Sequence, residues 1–179
     1  LYAPESLVNA SENGDYGACG AGVDWVTEVL MDELKRQGLD DNTLVIFTSD
    51  NGSRLDNQGG SNGVLRGQKA TTWEGGQRVP CIMRWPGKIK AGEVRSELAS
   101  TIDLFPTIAG LTGASTPQDR MTDGKDISTL MFTDQPIASP RSEFFYYDGN
   151  NLEAVRDVKW KLHVRKRDEV INELYDLKS

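Results

Sequence analysis

"VIFTSDNGSRLDNQGGSNGVLRGQKATTWEGGQRVP", residues 45–80, opens as a strand and then breaks into a long run of Gly, Asn, Asp and Ser. Four apolar or β-branched residues lead into Asp50-Asn51-Gly52, and a single lysine, Lys69, follows in a second Gly-flanked loop. The run "LVIFTS" fits a strand covered on both faces, as in parallel sheets. Before it, Val23, Val26, Leu30 and Leu34 recur at helical spacing, and Gly38 is placed as a C-cap. A helix over Val23–Gln37, the turn "LDDNT" and a buried strand make half of an α/β unit. Residues 1–22, polar and Gly-rich around Pro4, read as a loop or the approach to that helix.

Working outward in the other direction, "VPCIMRW" (79–85) is a second strand closed by Pro86-Gly87. "ELASTIDLFPTIAGLTG" (97–113) reads as a strand-like approach and a short helix that packs Leu104, Phe105, Ile108 and Leu111, with Pro106 in its first turn. Residues 114–142 are rich in Thr, Asp, Ser and Pro and read as a connecting segment with one short helix near "ISTLMF". The remainder, "SEFFYYDG", "LEAVRDVKWKLHVRK" and "NELYDL", alternates like antiparallel strands, with "DGNN" as a hairpin turn.

At 179 residues and 37% apolar content, the chain can bury one core of ordinary size, with a small second subdomain. A net charge of −7 and a pI near 4.8 argue against a general nucleic-acid or anionic-membrane surface. No apolar run approaches the ~18 residues of a membrane-spanning helix. Cys19 and Cys81 lie far apart, and neither belongs to a CxxC pair, so they indicate neither a zinc site nor a disulfide framework.

In open α/β sheets, ligands sit beyond the carboxyl ends of the strands, which is where Asp50-Asn51 falls. One carboxylate and one amide oxygen are hard donors suited to Ca²⁺ or Mg²⁺ and poorly suited to zinc. Such a cation takes roughly six or more oxygens, so two residues are not a whole site. Asp-Asn-Gly is equally turn chemistry, because Asn-Gly favours positive φ. Lys69 has two readings as well: a compact positive charge offered to an oxyanion, or a solvated surface group.

The ordered series "TLVIFTSDNG", "LRGQKATTWEGGQRVPCIMRWPGKI", "STIDLFPTIAGLTG", "LEAVRDVKWKLH" and "NELYDL" closely resembles the C-terminal half of formylglycine-dependent sulfatases, the arylsulfatase family. The resemblance runs from the helix at Val23 to the final "LYDL". It implies an α/β fold, the C-terminal part of an alkaline-phosphatase-like mixed-sheet sandwich, plus a small antiparallel β-sheet subdomain with a helix. Residues 1–113 would then belong to the catalytic domain, and residues 114–179 to the connecting segment and the small subdomain. By the same resemblance, Asp50 and Asn51 match two ligands of the family's divalent cation, usually Ca²⁺, and Lys69 matches the lysine that contacts the sulfate and the leaving-group oxygen. Glu74, Gly75, Gly76 and Arg78 are expected to shape the loop that presents Lys69, with Arg78 in a structural ion pair. His163, on the alternating "KLHVRK", is expected on the sheet surface and outside the chemistry.

The family's nucleophile is a formylglycine made from a cysteine in Cys-x-Pro-x-Arg, whereas Cys19 is followed by "GAG" and Cys81 by "IMR". The expectation is therefore a portion of a longer sulfatase, cut at both ends and inactive alone, whose partners are the missing N-terminal half and a sulfated small molecule or carbohydrate. The resemblance suggests a periplasmic, secreted or lysosomal setting. The competing readings are a non-catalytic scaffold, and a phosphodiesterase or phosphonate hydrolase of the same superfamily; the "GQKATTWEGGQRVP" loop favours the sulfatase.

Overall fold

The computed structural model describes residues 3–55 and 59–178. The loop readings of residues 1–2 and 56–58, and the last residue of "LYDLKS", lie outside the described residues. The chain forms two compact units, residues 1–87 and 88–179.

In the first unit, α1 (Glu5–Ala10) and α2 (Gly14–Arg36) precede β1 (Val45–Thr48), the short α3 (Glu74–Gln77) and β2 (Cys81–Arg84). The long helix starts at Gly14, well before the expected Val23. Its small residues let the preceding segment lie close: a Cβ at Gly17 would stand 2.4 Å from the Ser11 hydroxyl, and one at Gly22 would stand 3.6 Å from Leu7. Glycine's low helix propensity is overridden there by packing. At the other end Gly38 adopts φ +67°, and the Leu39 N–H reaches back to the Leu34 carbonyl at 2.9 Å, so the expected C-cap is present.

β1 and β2 pair antiparallel, with Val45 opposite Arg84 and Thr48 opposite Cys81. The expectation of a strand covered on both faces does not hold within this chain: Phe47 is 37% exposed and Ile82 62%. A run of apolar residues states that a strand favours burial, not which elements cover it, and among the described residues this sheet has two strands. The same applies to α2, where Val23, Val26 and Leu30, the positions that mark its apolar stripe, are all exposed. An open apolar groove of about 470 Å³ runs between α2 and β1, lined by Leu30, Met31, Leu34, Leu39, Val45 and Phe47. Arg84, at the end of β2, grips Asp40 through two hydrogen bonds of 2.6 and 2.8 Å, which ties the ribbon to the turn after α2.

The second unit holds α4 (Leu104–Leu111), α5 (Ser128–Phe132) and the meander β3 (Phe144–Asp148), β4 (Asn151–Arg156), β5 (Trp160–Lys166) and β6 (Glu169–Asp176). The four strands lie in chain order, each antiparallel to the next, and Gly149 turns the β3–β4 hairpin at φ +57° as the "DGNN" signal predicts. No strand forms over 97–100; a 3₁₀ turn at Thr101–Asp103 leads into α4, and Ser100 and Asp103 form a capping box. α4 buries Thr107 and Ala109, while Phe105 and Ile108, expected inside, are 53% and 43% exposed. Polar contacts set that orientation. The Thr107 hydroxyl donates to the Asp103 carbonyl at 2.6 Å and accepts the Ile127 N–H at 2.9 Å.

Asp103 is fully buried and bridges to Arg141 through both carboxylate oxygens; it also accepts the backbone N–H groups of Ser100 and Lys125, each at 2.8 Å. Burial pushes its carboxyl upward, but the guanidinium and the two amides outweigh that effect and hold it below its ordinary value. His163 is buried rather than on the sheet surface. It lies on β5 two residues from the buried Lys161, whose ammonium sits 3.7 Å over the Tyr146 ring.

Candidate active site

Asp50 and Asn51 follow directly on β1, at its carboxyl end. Neither Asn51 nor Gly52 has positive φ, so the Asn-Gly pair is not there to make a left-handed turn. Gly52 is needed for close approach. Its N–H donates to the Gly76 carbonyl at 3.0 Å, and a Cβ on it would fall 1.8 Å from the Gly75 carbonyl oxygen. The two glycines of "EGG" are required for the same reason: a Cβ at Gly75 would meet the Gly67 carbonyl at 2.3 Å, and one at Gly76 the Thr71 carbonyl at 2.3 Å. Three backbone segments, 50–53, 66–71 and α3, are thus pressed together at distances only glycine permits.

That packing brings the Lys69 loop to the Asp50-Asn51 loop. The Lys69 N–H donates to the Ser53 carbonyl at 3.1 Å, and the Gly75 N–H to the Arg66 carbonyl at 2.7 Å. The Asn62 side chain accepts the Ser53 N–H at 2.8 Å and donates to the Ser53 and Gly67 carbonyls at 3.1 and 3.0 Å. Gln68 takes the Leu55 N–H at 2.8 Å, and its own carbonyl accepts the Thr71 hydroxyl at 2.7 Å. Tyr16 of α2 reaches the Ser53 hydroxyl at 2.5 Å. Ala70, next to Lys69, has φ +65°, a left-handed conformation that costs a non-glycine residue about 1 kcal/mol and is held by the surrounding bonds. Arg66 stacks 3.8 Å over the buried Trp73 ring.

Asp50 and Lys69 are exposed and Asn51 half-buried. Among the described residues, no hydrogen bond or ion pair engages the side chains of these three. A carboxylate and an amide oxygen remain uncommitted beside a lysine loop that the backbone holds in place. The donor type fits a hard divalent cation; the number does not complete one, because among the described residues no group of three or more His, Cys, Asp or Glu could hold a metal. Arg78 is exposed and its side chain joins no ion pair among the described residues, against expectation; its N–H closes α3 on the Glu74 carbonyl at 2.7 Å. Asn62, Ser53 and Tyr16 are missing from the sequence reading, since "SNG" has the form of any Asn-Gly turn.

Residues 5–114 match the Sulfatase family, and residues 67–179 match the family described as N-sulphoglucosamine sulphohydrolase, C-terminal. The chain is 41% identical over 167 residues to N-acetylgalactosamine-6-sulfatase of Mus musculus, covering 92% of this chain and 32% of that protein. It is also 41% identical over 165 residues to steryl-sulfatase of Mus musculus, covering 87% and 26%. Among solved structures it superposes on a sulfatase from Pseudoalteromonas sp. with a TM-score of 0.82 at 31% identity, covering 98% of this chain and 37% of that one. A further structure, solved with its substrate D-glucosamine-2-N,6-O-disulfate, matches with a TM-score of 0.73 at 28% identity, covering 92% and 33%. The chain therefore spans 26–32% of the length of these two curated relatives.

Proposed function

This chain belongs to the sulfatase family, with its alkaline-phosphatase-like fold, and from that premise we propose that its parent protein hydrolyses sulfate monoesters, with this segment supplying Lys69 and part of a divalent-cation site. The observation that carries the reading is the backbone union of the Asp50-Asn51 and Lys69 loops, with all three side chains uncommitted among the described residues.

In this reading the Lys69 ammonium stands against the ester oxygen and neutralises the negative charge that builds as the S–O bond breaks. That interaction grows from ground state to transition state, so it lowers the barrier rather than only tightening binding. Asp50 and Asn51 would hold the cation, taken to be Ca²⁺, through one carboxylate and one amide oxygen, with the remaining ligands and the formylglycine nucleophile supplied from outside these residues. Bound there, the cation would orient sulfate oxygens and offset their charge. Isolated, the chain would turn over no substrate.

Residues 1–113 are assigned to the catalytic domain and residues 114–179 to the connecting segment and the small C-terminal subdomain, a division that follows the Sulfatase match ending at residue 114 and differs from the compact units, which part after residue 87. The exposed apolar stripe of α2 and the groove beside β1 suit burial against the N-terminal half of the parent. A sulfated carbohydrate or a sulfated small molecule is the proposed substrate class. Sulfated sugars are named in a relative and in a solved neighbour. In the full-length parent, Lys69→Ala is expected to lower kcat on a sulfate monoester by about 10²–10³ with thermal stability preserved. An unchanged kcat refutes the assignment.

A further inference from the structure

We propose that Asn62 is a positioning residue that holds the cation-ligand loop and the lysine loop in one fixed relation. The inference rests on the reading of Asp50, Asn51 and Lys69 just given. Ser53 lies two residues beyond Asn51, and Gly67 two residues before Lys69. One planar amide grips both backbones: Oδ1 accepts the Ser53 N–H, and Nδ2 donates to the Ser53 and Gly67 carbonyls.

The bonding pattern admits a single orientation of that amide. Turned over, its NH₂ would face the Ser53 N–H and its oxygen would face two carbonyls. No other side chain of this length supplies one acceptor and two donors in that arrangement. Aspartate keeps the acceptor and loses both donors, and alanine loses everything. Ser53 is then held from several sides, because its carbonyl also takes the Lys69 N–H at 3.1 Å and its hydroxyl meets Tyr16 at 2.5 Å.

The chemistry needs this coupling. The cation ligands and the lysine address the two ends of one short bond, so their separation must match the S–O ester. A displacement of about 1 Å in such a constellation lowers the rate by roughly 100-fold. Asn62 itself touches no reacting atom in this reading; it acts through the loops it joins.

The test uses the full-length parent and four variants: Asn62→Ala, Asn62→Asp, Lys69→Ala and the double variant with Asn62→Ala. The readouts are kcat/KM across aryl sulfates of graded leaving-group basicity, and divalent-cation affinity by calorimetry. Lys69→Ala is expected to steepen the dependence on leaving-group basicity. Both Asn62 variants are expected to lower kcat/KM by about 100-fold, steepen the same dependence and weaken cation binding. In the Lys69→Ala background, Asn62→Ala should add far less than its own factor. Amide exchange should accelerate together at Ser53 and Lys69 in either Asn62 variant. If Asn62→Ala does not fold, Asn62→Asp and the exchange measurement decide. Wild-type leaving-group dependence and cation affinity in an Asn62 variant, with Lys69→Ala impaired, overturn the inference alone. An unimpaired Lys69→Ala overturns the underlying reading and the inference with it.

Discussion

At Asp50 the informative property is an exposed carboxylate with nothing bound to it among the described residues, beside an amide in the same condition at Asn51. Charged residues that serve only structure tend to be spent on a neighbour, as Arg84 is on Asp40 and Arg141 is on Asp103. Asp50→Ala in the parent protein is expected to weaken divalent-cation binding about 10-fold or more, since loss of a direct ligand should exceed the effect of removing an outer-shell partner. Unaltered affinity in a calorimetric titration would remove Asp50 from the site. Lys69 and Asp50 stand out in the sequence only through the resemblance of the ordered motifs to the sulfatase family; alone, one is a lysine in a Gly-flanked loop and the other a carboxylate in a turn-forming Asp-Asn-Gly. Arg78 shows the limit of that reasoning: its charge predicts a partner, and the fold leaves it in solvent.

Between elements, glycine takes two different parts that composition cannot separate. Gly63 has φ +57° and open space around its missing Cβ, whereas Gly52 has an ordinary φ and a carbonyl oxygen where a Cβ would go. Alanine at Gly63 is expected to lower stability by about 1 kcal/mol, the usual penalty for a left-handed residue. Alanine at Gly52 must separate β1's continuation from α3 and should lower stability by about 3 kcal/mol or more, with the lysine loop displaced as well. Chemical denaturation of both variants checks this, and equal losses would contradict the close-approach account. The apolar runs told of strands at 45–48 and 81–84 without telling of their antiparallel pairing, because pairing depends on partners distant in sequence. α4 makes the same point: its apolar residues suit either face, and the bonds of Thr107 to Asp103 and Ile127 choose one.

Across the whole molecule, each unit carries its own polar commitments, and the second unit's are the more buried. His163 has its pKa lowered from 6.5 to about 4, first by burial and then by Lys161 and Lys166, with Glu153 and Glu173 opposing. The folded state therefore resists a proton that the unfolded chain accepts readily. Stability from this group is fully present above pH 6.5 and declines as pH falls through 6.5 toward 4, by roughly 3 kcal/mol in all. A urea midpoint followed over that range should fall in the wild type and fall less in His163→Phe, which retains an aromatic edge toward Tyr175, 6.0 Å away. Parallel curves for the two proteins would place the acid sensitivity elsewhere. The sequence by itself determined the later turns of α2, the strands β1 and β2, the Gly38 cap, the β3–β4 hairpin and the oxygen donors beyond β1, because each is encoded within a few neighbouring residues; α1, the first turns of α2 and α3 lie in stretches that read as loop. Only the tertiary structure decided that Gly52 is a point of contact, that Asn62 clasps two loops, that His163 is buried and that α4 turns Thr107 inward. Each of those depends on groups brought together by the chain's path, and local pattern holds no record of them.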